Sequence, residues 1–369
     1  MNEATLSQGD ARWEGAESGR HQQEVTAALA KVSKVDAVGH RVVHGGTRFR
    51  DAVVVDDTVR QAIADLAELA PLHNPAALAG IDAARERFPG VPHVAAFDTA
   101  FHASLPEATY TYPLPWEWNT RWGLRRFGFH GLSVAYAVQR AHDLLGELPP
   151  RLIVCHLGAG CSITAVAGGQ SIDTSMGFTP LEGVMMAQRS GSVDPGLLLY
   201  LLTRQGLQPS EVERSLNERA GLLGISGVSA DMRKVLAAAA SGHARAILAR
   251  DMFIQRVASC VGAMVAALRG LDVLVFTGGI GEHSPPIREA VCSAFGYMGL
   301  LLEPSLNASS AIDSDIARSE SAVRVLVITA ARGPVDPAPD ETTPRARLAV
   351  QPRGLRRGPA LDAREVIFR

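Results

Sequence analysis

Apolar residues recur along this chain in two rhythms. In the first half, helical spacing marks residues 24–35, 58–70 and 75–88, the second closed by Pro71 and the third stopped by Pro89-Gly90. Residues 132–145 return to that spacing. Shorter runs predict strands: residues 36–43 rise into a Val-rich segment ending at His44-Gly45-Gly46, and residues 93–97 end on Asp98. Residues 1–23 are polar and read as a tail. The Pro- and Trp-rich stretch 106–122 reads as an irregular cover or flap, and Leu148-Pro149-Pro150 is the best domain boundary.

The second half restarts with strands. Residues 152–156, 161–167 and 171–174, separated by Gly158-Ala159-Gly160 and Gly168-Gly169, predict a three-stranded antiparallel meander. Helical spacing then marks 197–203, 209–217, 232–239 and 243–268. Residues 273–277 read as a buried strand followed by Gly278-Gly279-Ile280-Gly281, and 323–328 as the last strand. Beyond Arg332, prolines at 334, 337, 339, 344, 352 and 359 punctuate a segment for which no regular element is predicted.

Composition narrows the classes. At 369 residues the chain suits two domains. With 47% hydrophobic and 20% charged residues and a net charge of −2, it offers no electrostatic case for nucleic acid or a membrane surface. No apolar run approaches the roughly 20 residues needed to span a bilayer, and the first residues carry no secretory apolar region. The four cysteines show no CxxC spacing, so neither a zinc site nor a disulfide framework is indicated, and the reducing cytoplasm is the expected compartment.

Residues 173–196, DTSMGFTPLEGVMMAQRSGSVDPG, place charged groups among glycines with little suited to a core element. Arg189, flanked by Ser190, Gly191 and Ser192, offers a guanidinium fork to phosphate or carboxylate oxygens; an ion pair with Glu182 or Asp194 is the alternative. Gly158-Ala159-Gly160, after His156, lets backbone N–H groups approach phosphate oxygens, or makes an ordinary hairpin turn. Gly278–Gly281 is a second such turn, able to open a helix onto a nucleotide. Neither fits GxxxxGK[ST], and GxGxxG is absent, which excludes a P-loop and disfavours a dinucleotide enzyme. Asp98 ends a strand, where a carboxylate reaches metal or acceptor, or caps a helix with Thr99. Arg41 in its Val-rich strand needs an anion, either a structural Asp or a substrate. His130, between Phe129 and Gly131, can donate to a developing phosphoryl charge or serve as a hydrogen-bonded core histidine.

The 173–196 segment, together with GHRVVHGG (39–46), PLHNP (71–75), FDTAFH (97–102), RRFGFHGLS (125–133), CHLGAG (155–160) and FTGGIGEHS (276–284), resembles the acetate kinase family, in order from about residue 39 to 328. The resemblance implies an α/β, two-domain actin-like ATPase (ribonuclease H-like) fold with a central cleft. It sets residues 24–148 as a first, acyl-substrate domain and 149–332 as a second, nucleotide-binding domain, between tails at 1–23 and 333–369. It implies that Arg41 and Arg189 clamp the acyl carboxylate and the transferring phosphoryl group. Asp98 would support catalysis and Mg²⁺, and His130 would stabilise the transition state with Arg189. His73 and His156 would line the site. Val43, Leu72 and Pro180 would hold the acetate methyl. On the nucleotide side stand Gly158, Ala159, Gly160, Asp231, Met232, Arg233, Gly279, Ile280, Gly281 and His283. Acetate, ATP/ADP and acetyl phosphate would be the partners, in a homodimer.

The sequence departs from the family pattern at several points. Nothing in residues 1–36 matches its N-x-G-S-S-S-x-K loop, whose strand would flank the first sheet, so a bare strand edge is expected there. Val327-Ile328-Thr329 runs into Ala330-Ala331-Arg332, where the family carries a metal-holding Glu. Ala159 and His283 each stand where Asn is usual, and Val134 where a second His is usual. Two alternatives therefore accompany the kinase reading: a degenerate relative that keeps nucleotide binding or dimerisation, and a propionate or butyrate kinase.

Overall fold

The computed structural model describes residues 35–70, 73–309, 313–330 and 348–349. Leu72, the tail at 1–23, the helix expected at 24–35 apart from Val35, and the 333–369 tail apart from residues 348–349 lie outside them. The chain divides into two units, one running to Ala103 and the other beginning at Ser104.

In the first unit, β1 (Val38–Val42) alternates buried and exposed positions, so Val38, His40 and Val42 turn inward and Arg41 outward. After β2 (Val53–Val54), helix α1 (Asp57–Asp65) starts where the Asp56 side chain accepts the Val59 N–H at 2.7 Å. Helix α2 (Asn74–Arg87) follows, with Pro75 in its first turn, and β3 (His93–Phe97) closes the unit's crossover. β1 pairs parallel with β3, and β2 pairs antiparallel on the other side of β3. Val42, Phe49, Ile63, Ile81 and Phe97 form the core beneath, with the Phe49 and Phe97 rings stacked at 4.5 Å. The outer edge of β1 is not bare: a two-residue strand, Leu348–Ala349, pairs antiparallel with Gly39 and His40. That strand lies in the tail where no regular element was predicted.

The second unit opens with two short helices, α3 (Glu107–Tyr110) and α4 (Trp116–Trp122), where the prolines had suggested irregular chain. Each starts directly after a proline, at Pro106 and Pro115, and Gly123 ends α4 in a left-handed conformation. Helix α5 (Gly131–Leu145) precedes the predicted meander, β4 (Arg151–Leu157), β5 (Cys161–Ala167) and β6 (Gln170–Thr174). Five helices follow: α6 (Pro195–Thr203), α7 (Pro209–Glu218), α8 (Gly221–Ser226), α9 (Met232–Ala240) and α10 (Ala244–Leu268). Then come β7 (Val273–Thr277), α11 (Gly278–His283), α12 (Pro285–Ser293), α13 (Pro304–Ser309), β8 (Ser314–Asp315) and β9 (Arg324–Val327). The sheet order is β6-β5-β4-β7-β9-β8, with β4, β7 and β9 parallel. Every residue of β7 is buried, as expected of a central parallel strand.

Helix α10 corrects one expectation. By length and composition it is long and apolar enough to cross a membrane. Its buried residues, Ala246, Ala249, Phe253, Val257, Val261, Met264 and Leu268, fall at helical spacing on one stripe, and the helix packs against β5, α8 and α9.

Candidate active site

In the first unit, Arg41 leaves the outward face of β1 and meets Asp98, the residue after β3. Nε lies 3.0 and 3.1 Å from the two carboxylate oxygens and Nη2 lies 2.5 Å from Oδ2. The Asp98 side chain is 3% exposed while that of Arg41 is 48% exposed, so a buried carboxylate aims a half-exposed guanidinium. The neighbouring Thr99 holds a backbone turn. Its Oγ1 accepts the Gly45 N–H at 3.0 Å, fixing the His44-Gly45-Gly46 turn. Buried Asn74 clasps the same turn, accepting the His44 N–H and donating to the His44 carbonyl, each at 3.1 Å. A Cβ on Gly45 would lie 2.9 Å from the Phe49 carbonyl oxygen, so the turn has room only for glycine. His73 precedes α2, and partly buried Val43 follows β1.

The second unit gathers a larger set at the C-terminal ends of β4 and β7, which run side by side with His156 opposite Thr277. His130, at the start of α5, takes a left-handed backbone (φ 58°), unusual and costly for a non-glycine residue. Its Nδ1 lies 2.9 Å from Ser162 Oγ on β5, and its ring lies 4.3 Å from that of His156. His156 Nδ1 in turn lies 2.8 Å from Ser133 Oγ on α5. A Cβ on Gly160 would sit 3.2 Å from His130 Nε2 and 3.6 Å from Arg189 Nη1, so the histidine and the arginine converge over the glycine turn. The Ala187 N–H donates to the Ala159 carbonyl at 3.1 Å, joining the Arg189 segment to that turn, and Arg189 Nη1 reaches the Pro180 carbonyl at 3.4 Å.

The charged groups of the 173–196 segment have separate duties. Glu182 Oε1 takes Arg126 Nη2 at 2.7 Å, and its Oε2 accepts a short hydrogen bond from the Tyr112 hydroxyl. Arg126 Nη1 also donates to the carbonyls of Thr174, Ser175 and Met176. Asp194 caps α6 by accepting the Gly196 N–H at 2.8 Å. Tyr112 and Arg126 thus clasp the loop that carries Arg189. Their part was not read from the sequence, where Arg126 is one of two adjacent arginines in RRFGFHGLS and Tyr112 sits in the stretch taken as a flap.

The remaining nucleotide-side residues fall into two places. Gly278–Gly281 does not remain a loop: it forms the start of α11, with Gly278 at φ 78° and packed on the Leu157 backbone. Gly279 and Ile280 follow within α11, and His283 ends it with its side chain 54% exposed. Farther along the chain, Asp231 caps α9 by accepting the Arg233 N–H at 2.9 Å and pairs through both oxygens with the Arg233 guanidinium; Met232 between them is buried.

The described side chains do not fit a resident metal. Among the described residues no three His, Cys, Asp or Glu side chains gather to hold an ion, and both oxygens of Asp98 are engaged by Arg41.

The acetokinase family profile matches residues 7–333. The acetate kinase of Nostoc punctiforme is 53% identical over 305 residues, covering 82% of this chain and 75% of its own length. Among solved structures, Porphyromonas gingivalis acetate kinase aligns with a TM-score of 0.76 at 43% identity over 80% of this chain and 74% of that one. A propionate kinase from Francisella tularensis aligns at 0.78 with 39% identity, over 85% and 80%. The mixed sheets and the strand-end site are those of an α/β protein of the two-domain actin-like ATPase class. Within that class the chain belongs to the acetokinase family, the acetate kinases.

Proposed function

We propose that this chain transfers a phosphoryl group reversibly between ATP and acetate, giving acetyl phosphate and ADP by direct in-line displacement. The observation that carries the reading is the convergence of His130 Nε2 and Arg189 Nη1 over Gly160, beside a second glycine turn on the adjacent strand. An acetate oxygen attacks the γ-phosphorus. The new O–P bond forms as the bond to the β–γ bridging oxygen breaks, and the electron pair leaves on ADP. Positioning and charge neutralisation supply most of such catalysis.

Arg189 and the His130 Nε2–H then face the equatorial phosphoryl oxygens, where charge builds. The Nε2 hydrogen is in place in the tautomer whose Nδ1 accepts from Ser162. Gly158, Ala159, Gly160 and the α11 residues Gly279–Gly281 hold the nucleotide phosphates, and Asp231, Met232, Arg233 and His283 border the adenosine. Arg41, aimed by Asp98, takes the acyl carboxylate. Val43 serves the acyl methyl from the Arg41 side, and His156 lines the phosphoryl side. Mg²⁺ arrives on the nucleotide as MgATP.

A propionate acceptor is the second reading, favoured by the likeness to the Francisella propionate kinase. One methylene discriminates by only about 1–3 kcal/mol. We also propose a cytoplasmic homodimer joined through α6, whose Leu197, Leu199 and Tyr200 are exposed and which buries no residue. The test is ADP formation from MgATP with and without acetate or propionate. Acceptor-dependent turnover supports the kinase reading. Nucleotide binding without turnover, in a folded sample, replaces it with a degenerate relative.

A further inference from the structure

Arg288 lies on α12, outside every motif that points to the nucleotide, and none of it reaches solvent. A guanidinium is rarely buried so completely unless its donors are satisfied. Here Nη1 donates to the carbonyls of Gly281 at 2.9 Å and Glu282 at 2.7 Å, the last turn of α11. Nε donates to Asn307 Oδ1 at 2.8 Å and Nη2 to the Asn307 carbonyl at 2.7 Å, both on α13. Asn307 Nδ2 returns to the Pro285 carbonyl at 3.1 Å, at the first residue of α12. One side chain therefore ties three short helices together. Burial pulls the Arg288 guanidinium down to about 10, which still leaves it charged at neutral pH.

The two helix-end carbonyls belong to the segment whose glycines face the nucleotide in the function proposed above. Glycine-rich α11 has little side-chain packing of its own to fix its direction. A further anchor is Glu282, whose Oε1 accepts the Ala330 N–H at 3.0 Å, just past β9.

We propose that Arg288 is a positioning residue for the nucleotide: it sets the orientation of Gly279–Gly281 without touching the ligand, and so governs affinity for ATP and ADP rather than for the acyl acceptor. This rests on the assignment of α11 to the nucleotide. Lysine cannot replace the arginine, because one ammonium cannot reach four acceptors disposed around a planar fork.

The test compares the parent chain with Arg288→Lys, Arg288→Met and Asn307→Ala in steady-state kinetics, MgADP binding by calorimetry and thermal melting. The expected result for a folded Arg288→Lys is a roughly tenfold or larger rise in KM for ATP and in Kd for MgADP. KM for acetate should stay within about twofold, since its site is not tied to Arg288. If Arg288→Met does not fold, Asn307→Ala, which removes one acceptor and keeps the arginine, carries the same expectation at smaller size. Equal changes in both KM values, or a lowered melting temperature with unchanged MgADP affinity, overturn the proposal and leave Arg288 a purely structural residue. A parent chain that binds MgADP but turns over no acceptor refutes the proposed function alone, and the binding arm still decides the role of Arg288.

Discussion

Arg126 and Glu182 tie down the stretch that leads to Arg189: the arginine donates from Nη2 to Oε1 at 2.7 Å while its Nη1 reaches three consecutive carbonyls at the start of the same segment. The pair is mostly shielded, with 17% and 32% of the two side chains exposed. Replacing Arg126 with Lys keeps the charge and loses the fork. The expected cost is about 2–4 kcal/mol of stability in chemical denaturation, with kcat falling as the loop loosens. Parental stability and kcat in Arg126→Lys would refute the clasp.

Gly177 is enclosed by the same clasp. A Cβ there would lie 1.6 Å from Glu182 Oε2 and 2.2 Å from the Tyr112 hydroxyl. Gly177→Ala must push one of these partners away, so it should destabilise by about 1–3 kcal/mol and depress activity in parallel. A melting curve superimposable on the parent's would show that the loop yields freely.

His130 holds a strained backbone in order to present its ring. Asparagine tolerates the left-handed region, so His130→Asn should keep the fold while removing the imidazole and its far-reaching Nε2 donor. A loss of kcat on the order of 10²–10³ with little change in melting temperature is expected. Ser162→Ala should give a smaller kcat loss by freeing the tautomer. An unchanged kcat in both variants would remove His130 from the chemistry.

Arg189→Ala should cost roughly 10–100-fold or more in kcat/KM. Charge-assisted bonds of this kind respond to added guanidinium, so millimolar guanidine should restore part of the rate. A fully active Arg189→Ala protein would overturn the assignment.

Stability should fall on mild acidification through two histidines in the first unit. Burial, helped by His93, pushes His40 down to about 3, and burial pushes His44 down to about 4, against 6.5 for a free histidine. His40 Nε2 lies 3.0 Å from His93 Nδ1. Below pH 6.5 the unfolded chain takes up protons that these folded sites refuse. Their contribution is therefore intact above 6.5 and is lost as pH falls toward 4 and 3. Each site approaches about 1.4 kcal/mol per pH unit inside that window. Urea unfolding between pH 7 and 5 should show this slope, shallower in His40→Gln. A flat profile would show that these sites titrate as in the unfolded chain.

The helix and strand pattern of the second unit was legible because its meander and long helices carry strong periodicity. Helix α8 and the helices made of Gly278–His283 and Pro285–Ser293 were not, since they are too short or too glycine- and proline-rich for spacing to show. At the site, Arg189 and His130 stood out as charged or polar groups flanked by glycine. Ser162, Asn74, Arg126 and Arg288 did not: each acts through a hydrogen bond to a residue distant in sequence, and no local pattern marks such a partner. Arg41 left two readings open: Asp98 pairs with it, and its half-exposed guanidinium leaves the substrate reading standing. The bare edge expected at β1 failed for a similar reason, because its covering strand comes from the other end of the chain.

The adjacency of β4 and β7 also has a kinetic meaning. The two glycine turns lie next to each other only after the strands pair, and the whole helical stretch α6–α10 separates them in sequence. Closing so long a loop is entropically slow, so the pairing belongs to a late step of folding. A nucleotide that needs both turns has no foothold on earlier intermediates. It would bind only the finished domain and pull the folding equilibrium toward it by mass action.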